Sequence, residues 1–575
     1  MDVRQFDFLV RQPSATLIER QRFWGMPKRG LALILINAMF WQPLMAQADG
    51  IAVSGGTNTS LGQAGNGVPI VNIAAPNAGG LSHNQYQQYN VGAQGVIINN
   101  ATDRTQSTQL GGIILGNQNL NGRAASTILN EVVGANASQL NGYTEVAGQS
   151  ARVIVANPYG ISCNGCGFIN TPQVTLTTGK PVLDNGRLDH FRVEGGSVSI
   201  DGTGLNADNV DQFDIITRSA KINAELYAKK LNIVTGRNDV DAQTLNATAL
   251  ADDGSAKPQL AIDSSALGGM YAGAIRLVGT EAGVGVRLAG NLAASGGDIQ
   301  IDANGQLSMA QVAANGAVNV KAASADVQGA VYGNSVDVQT TGALNVQQNI
   351  AARDRISLGS GGQLTNNAIV EAGVNADNSR NSAGDVAISA QNLRNTGSIT
   401  ASRSLQANVT QTLNNQGGTL SGQASTQVAA ATLDNRQAGR VLSQGSSSLS
   451  GGQILNAQGG LITSTGTLSI NAGLFDNSQQ GKVSSAAALS AVISGQLLNG
   501  MGLFSANGNL LLNATGVDNR SGEISSLADV VIRGSQADNS NGGRLLALGD
   551  LALTYDNFTN QNQGKVSGQR NVSLA

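Results

Sequence analysis

Large side chains are scarce in this chain, and charge is scarcer than in an ordinary enzyme. Aromatic residues make up 3% and charged residues 12% of 575 positions, so a thick globular core, which needs bulky side chains to fill its middle, is excluded. Both tryptophans, Trp24 and Trp41, fall before residue 49, and no proline follows Pro258. Two cysteines are too few for a disulfide scaffold. The two histidines, His83 and His190, have no partners at metal-binding or triad spacing, and no Gly-x-Ser-x-Gly appears. The net charge is −3 with no Lys/Arg block; nucleic acid is excluded as a partner, because no basic field is available to neutralise phosphates. After the first 48 residues no apolar run approaches the roughly 20 residues that span a bilayer.

What remains is glycine, counted 74 times, and small aliphatics that bring the apolar share to 41%. Apolar residues at that density and regular spacing argue for folding rather than disorder. The N-terminus reads as an address: a basic cluster of Arg20, Arg22, Lys28 and Arg29, an apolar run from Gly30 to Phe40, Pro43, then the small-residue site Ala46-Gln47-Ala48. This predicts a long secretory signal peptide over residues 1–48, cut between Ala48 and Asp49; Asn37, Gln42 and Pro43 interrupt a run already too short for an anchor.

From Asp49 onward, apolar pieces of four to six residues alternate with Gly, Asn and Ser corners, as in Val96-Ile97-Ile98-Asn99-Asn100 and Leu231-Asn232-Ile233-Val234. These predict many short strands, and only Arg123 to Val132 carries a trace of helical period. The loss of proline after Pro258 places a domain boundary between Arg287 and Asn291, giving a front domain over 49–290 and a repeat array over 291–575. In the array an apolar residue shortly before an asparagine recurs at Asn395, Asn415, Asn435, Asn456, Asn477, Asn499, Asn519, Asn539 and Asn560, in steps of 20 to 22 residues. So short a repeat cannot bury its own apolar face and must stack on copies of itself. Leucine-rich repeats need several Leu at fixed spacing and a helical side, both missing here, so the expected architecture is all-β, a right-handed parallel β-helix. Two roles suit the recurrent asparagines: corner formers that tolerate the left-handed conformation, or a ladder of stacked amides. The chain stops at Asn571-Val572-Ser573-Leu574-Ala575 inside a strand-like run, which suggests a fragment or a truncated gene.

The segment from Asn117 to Thr171 is dense in backbone punctuation: Asn-Gly at Asn121, Asn141 and Asn164, the corner Asn157-Pro158-Tyr159-Gly160-Ile161, and Cys163 and Cys166 beyond it. The cysteine pair lacks the further ligands of a zinc site and the βαβ context of a redox motif, so in an exported chain it reads as a small disulfide closing a turn. The corner, together with Asn117-Gln118-Asn119-Leu120, resembles the two short motifs of the secretion domain in two-partner secretion exoproteins of the filamentous haemagglutinin family, with Gln118 where that family has proline. Further likeness lies in Ser82-His83-Asn84-Gln85, Asn232-Ile233-Val234-Thr235-Gly236 and Gly268-Gly269-Met270-Tyr271-Ala272-Gly273.

The resemblance implies passage through the Sec machinery into the periplasm of a Gram-negative bacterium. Export then follows through a dedicated outer-membrane transporter of the Omp85 type, to a secreted or surface-attached adhesin that meets a host or bacterial receptor. The alternative it implies is the front of a contact-dependent growth inhibition toxin carrier. It nominates Asn117 to Leu120 and Asn157 to Ile161 as the secretion motif. No catalytic residue, cofactor or metal is expected; a polysaccharide-degrading β-helix, the rival from another class, needs carboxylates clustered on consecutive coils, and none are found.

Overall fold

The computed structural model describes residues 50–575; the expected signal peptide and its Ala48–Asp49 cleavage point lie outside them. The described chain winds into a parallel β-solenoid whose strands stack coil on coil into one 45-stranded sheet system. A typical coil has three short sides, as in Leu292–Ala294 followed by the two halves of Ile299–Met309. Each side pairs in parallel with its equivalent one coil further on, at Val312–Ala314 and in the two halves of Ala317–Val327.

The sequence dictates this by period two. Along Ile299–Met309 every second residue is buried, and the inward positions hold Ile299, Ile301, Ala303, Leu307 and Met309. One core of such side chains runs unbroken from Ile51 to Leu553. Its few aromatics pair inside the stack, Phe168 with Phe213 and Phe475 with Phe504, both at 6.0 Å between ring centroids. A thin core of aliphatics needs no more of them.

The front of the stack is closed by antiparallel strands. Ile51–Val53 runs against Leu81–Tyr89, and Ser60–Gln63 against Pro69–Asn72, so the parallel edge that would otherwise template another chain is covered. Three excursions leave the front coils: the hairpin Thr105–Thr108/Gly112–Leu115, the hairpin Lys180–Asp184/Arg187–Val193, and Asn238–Asp241 with Ala247–Ala249. The last two excursions join into a four-stranded sheet with its own core, in which Phe191, Val193 and Val240 pack on Ile154, Ile216 and Val234. Residues 287–291 interrupt nothing, because Gly285–Leu288 and Leu292–Ala294 both pair onward. The helical trace at Arg123 to Val132 is corrected. Thr127–Val132 is a strand paired along its edges with Leu81–Tyr89 and Arg152–Ala156, with Ile128 and Val132 in the main core on one face and Leu129 in the core of the excursion sheet on the other. A strand covered on both faces loses the alternation that would have marked it.

Candidate functional site

Two turns in the front domain are built on the same device, an asparagine whose side chain is buried among backbone carbonyls. Asn117 caps a short 3-10 turn, Gln118–Leu120, from an extended conformation (φ −84°, ψ 109°). Its Oδ1 accepts the Asn119 N–H at 3.0 Å, while its Nδ2 donates to the carbonyls of Ile73 and Asn99, each at 2.9 Å. One amide therefore ties the turn to two other segments. Leu120 points into the core, Asn119 Nδ2 donates to the Asn58 carbonyl at 2.8 Å, and Asn121 ends the turn in the left-handed region at φ 51°. Gln118 occupies the first position of the turn, where its own N–H makes no hydrogen bond.

Asn157 is fully buried. Its Oδ1 accepts the Tyr159 N–H at 2.9 Å, its Nδ2 donates to the Asn136 carbonyl at 2.9 Å and the Ser138 hydroxyl at 3.0 Å, and its N–H reaches the Thr177 carbonyl at 2.8 Å. Pro158 restricts the corner, Gly160 takes φ 119°, and Ile161 starts the next strand with its side chain inside, leaving Tyr159 exposed. Aspartate would keep the acceptor at either turn, lose both donors and bring a carboxylate against carbonyl oxygens; alanine would lose everything. The two turns share no hydrogen-bond partner.

Cys163 and Cys166 are joined as a disulfide, with Cα atoms 5.4 Å apart. Both sulfurs face the core rather than solvent, and the bond closes a bulge where Ile161–Ile169 slips register against Ser197–Ala207 around Gly165 (φ 73°). His83 Nε2 lies 2.7 Å from Glu131 Oε2, and that contact holds the Glu131 carboxyl below the usual carboxylate range. His190 pairs with Asp189 in the excursion sheet.

The recurrent asparagines form a ladder. Nδ2 of each donates to Oδ1 of the next through nine consecutive bonds of 2.7–2.8 Å, from Asn366 to Asn560. All rungs but the exposed Asn560 are buried. Asn366 is a rung the period did not reveal, because 29 residues rather than 20 to 22 separate it from Asn395. The surplus is an excursion around Val374–Arg380.

The TPS secretion domain model matches residues 49–309, and the haemagglutinin repeat model matches residues 381–436, 424–500 and 495–575. The chain is 49% identical over 339 residues to the tRNA nuclease CdiA of Yersinia mollaretii, covering 58% of this chain and 11% of that one. It is 50% identical over 345 residues to the 16S rRNA endonuclease CdiA of Enterobacter cloacae, covering 59% and 10%. Among solved structures, the filamentous hemagglutinin secretion domain is similar at 34% identity and a TM-score of 0.41, covering 56% of this chain and 95% of that one. The chain thus spans about a tenth of the length of the curated relatives it matches. A β-solenoid with a secretion domain in front and haemagglutinin repeats behind defines a two-partner secretion exoprotein. Within that class the chain belongs to the filamentous haemagglutinin family, and its relatives include CdiA proteins.

Proposed function

We propose that residues 49–290 are an export domain recognised by a dedicated outer-membrane transporter of the Omp85 type, after a Sec-dependent signal peptide has delivered the chain to the periplasm. Residues 291–575 then form a rod that holds whatever follows away from the cell surface. The observation that carries this is the pair of buried-amide turns in the domain that matches the secretion model. They fix the register of the first coils, and later coils stack on those. With the transporter co-expressed, a chain ending at residue 290 is secreted and a chain joining the signal peptide directly to residue 291 stays in the periplasm. Secretion of the second would overturn the reading.

For the displayed role, the adhesin and the toxin carrier differ in what the rod delivers. The relatives reported above are named as CdiA nucleases, which favours the carrier. In that case the rod itself does no chemistry and serves contact with a neighbouring bacterium. Competition between bearing and non-bearing cells in contact, set beside attachment to host cells, separates the two.

A further inference from the structure

Four of the chain's eight tyrosines occupy one row of one sheet, and no sequence spacing announces it. By register, Tyr143 lies beside Gly167, then Asn206, then Tyr227. Tyr271 follows directly, and Tyr332 comes after Ala293 and Ala313. At about 4.8 Å per coil the row is about 34 Å long. All four side chains stand on the outer side of strands whose flanking residues are buried, and Tyr143 is 43% exposed.

The surface around them is shaped to hold the rings down. A Cβ on Gly167 would fall inside the Tyr143 ring, and one on Gly269 would collide with the Tyr271 ring. Tyr227 and Tyr271 stack with centroids 5.2 Å apart and 19° between planes, and the Tyr227 hydroxyl donates to Glu225 at 2.5 Å. Exposed carboxylates flank the row at Glu225 and Asp208, whereas the cations beside it, Lys229 and, at Tyr332, Arg353, are taken by Asp211 and Asp354, each at 2.8 Å. Beyond Tyr332 the same row presents Glu371, Thr400, Ser421, Leu442, Thr463 and Ser484. The rings of this row end at Tyr332, in the first coils of the repeat array.

We propose that this row binds a neutral polysaccharide laid along the solenoid axis, sugar rings against the tyrosines and hydroxyls donating to Glu225 and Asp208. Tyrosine supplies a rigid surface with an apolar face and a polar tip, which suits a pyranose. One sugar of an extended chain advances by about the rise of one coil, so a hexasaccharide that starts at Tyr143 also reaches Tyr227 and Tyr271 and passes over the small residues between them. The acidic flank, with Lys229 and Arg353 already paired, repels anionic glycans and leaves the uncharged ones. The export reading enters only by putting the row outside the cell; the binding is measured on purified protein and stands or falls separately.

The test is calorimetric titration of the purified full chain with cellohexaose and chitohexaose, and with heparin as the anionic probe. Saturable binding of one neutral hexasaccharide is expected. Tyr227→Ala and Tyr143→Ala should each weaken it about tenfold, and Tyr227→Phe should preserve it. Tyr143→Ala guards against a folding defect, since that ring is the most exposed, and unchanged thermal unfolding is required of every variant compared. Absence of saturable binding to either neutral probe, tighter binding of heparin, or equal affinity in the alanine variants would overturn the proposal.

Discussion

Replacing Asn456, in the middle of the ladder, by alanine removes four contacts at once. The Asn456 Nδ2 donates to Asn477 Oδ1 at 2.8 Å and to the carbonyls of Gly460 and Lys482 at 3.1 and 3.2 Å, and its Oδ1 accepts from Asn435 at 2.7 Å. Asn435 keeps the carbonyls of Gly439 and Leu461, but the buried Asn477 Oδ1 is left without a donor. Each lost bond is worth about 1 kcal/mol net and a stranded buried acceptor costs about 1–3, so four lost bonds and one stranded acceptor amount to a local loss of about 5–7 kcal/mol. In a solenoid that loss stays with the coils on either side. Hydrogen exchange reads it directly: the amides of Asn456 and Asn477, which bond Asp476 and Leu498 one coil on, should lose protection by roughly a hundredfold or more.

Asn560→Ala is the control, because that residue is exposed, its Nδ2 reaches only Gly564 and its Oδ1 accepts only from Asn539; two bonds with no stranded buried acceptor make about 1–2 kcal/mol the expectation there. Asn456→Asp adds a pH test. A carboxylate buried against Asn477 Oδ1 has its folded pKa raised, so the unfolded chain ionises first and the variant loses stability as pH rises past about 4. Equal losses at Asn456 and Asn560, or a loss under about 0.5 kcal/mol at Asn456, would refute the ladder as a stabilising element.

Other expectations concern the front of the chain. Gln118→Pro should be neutral or stabilise by about 0.4–1 kcal/mol in denaturant unfolding, because Asn117 is already extended and the Gln118 N–H is unused; a loss beyond about 1 kcal/mol contradicts the turn geometry. Asn157→Ala should reduce transporter-dependent secretion far more than Asn435→Ala, and similar effects from both would remove the case for a dedicated export domain. Cys166→Ser opens a short loop and should cost about 2 kcal/mol with secretion lowered but not abolished, while thiol labelling of native wild-type protein should find nothing to modify. Cleavage after Ala48 removes Trp24 and Trp41, so the secreted protein should show no tryptophan emission; a peptide containing either residue in the extracellular form would contradict the cleavage site.

The solenoid was legible because its causes are local. Inward Val, Leu, Ile and Ala at period two and a corner asparagine every 20 to 22 residues are written into each repeat. The ladder was not decidable from the same residues, since a left-handed corner and an amide stack both select asparagine, and only the stack requires burial. Asn366 escaped because an excursion stretches its coil. The four-stranded excursion sheet was hidden because its partners, Arg187–Val193 and Asn238–Asp241, meet across the intervening coils. Both buried-asparagine turns were visible as punctuation, but not the reason for their asparagines: carbonyls at Ile73, Asn99 and Asn136 become neighbours only after winding. The tyrosine row was invisible for the same reason, as it exists only in register.

Every amide in the ladder points the same way. Asn395 gives its hydrogen to Asn415, and Asn415 to Asn435, never the reverse. At the ladder corner any cross-section of the rod therefore has two chemically different faces, one offering the amide N–H and the other the amide oxygen. A coil that has just closed shows donors to the segment that comes next, and a segment arriving behind it brings the matching acceptor. The same surface refuses a coil presented backwards, because donor would meet donor. The rod thus has a forward and a rear end, as a polar filament does. A chain that emerges N-terminus first always meets the end built to receive it.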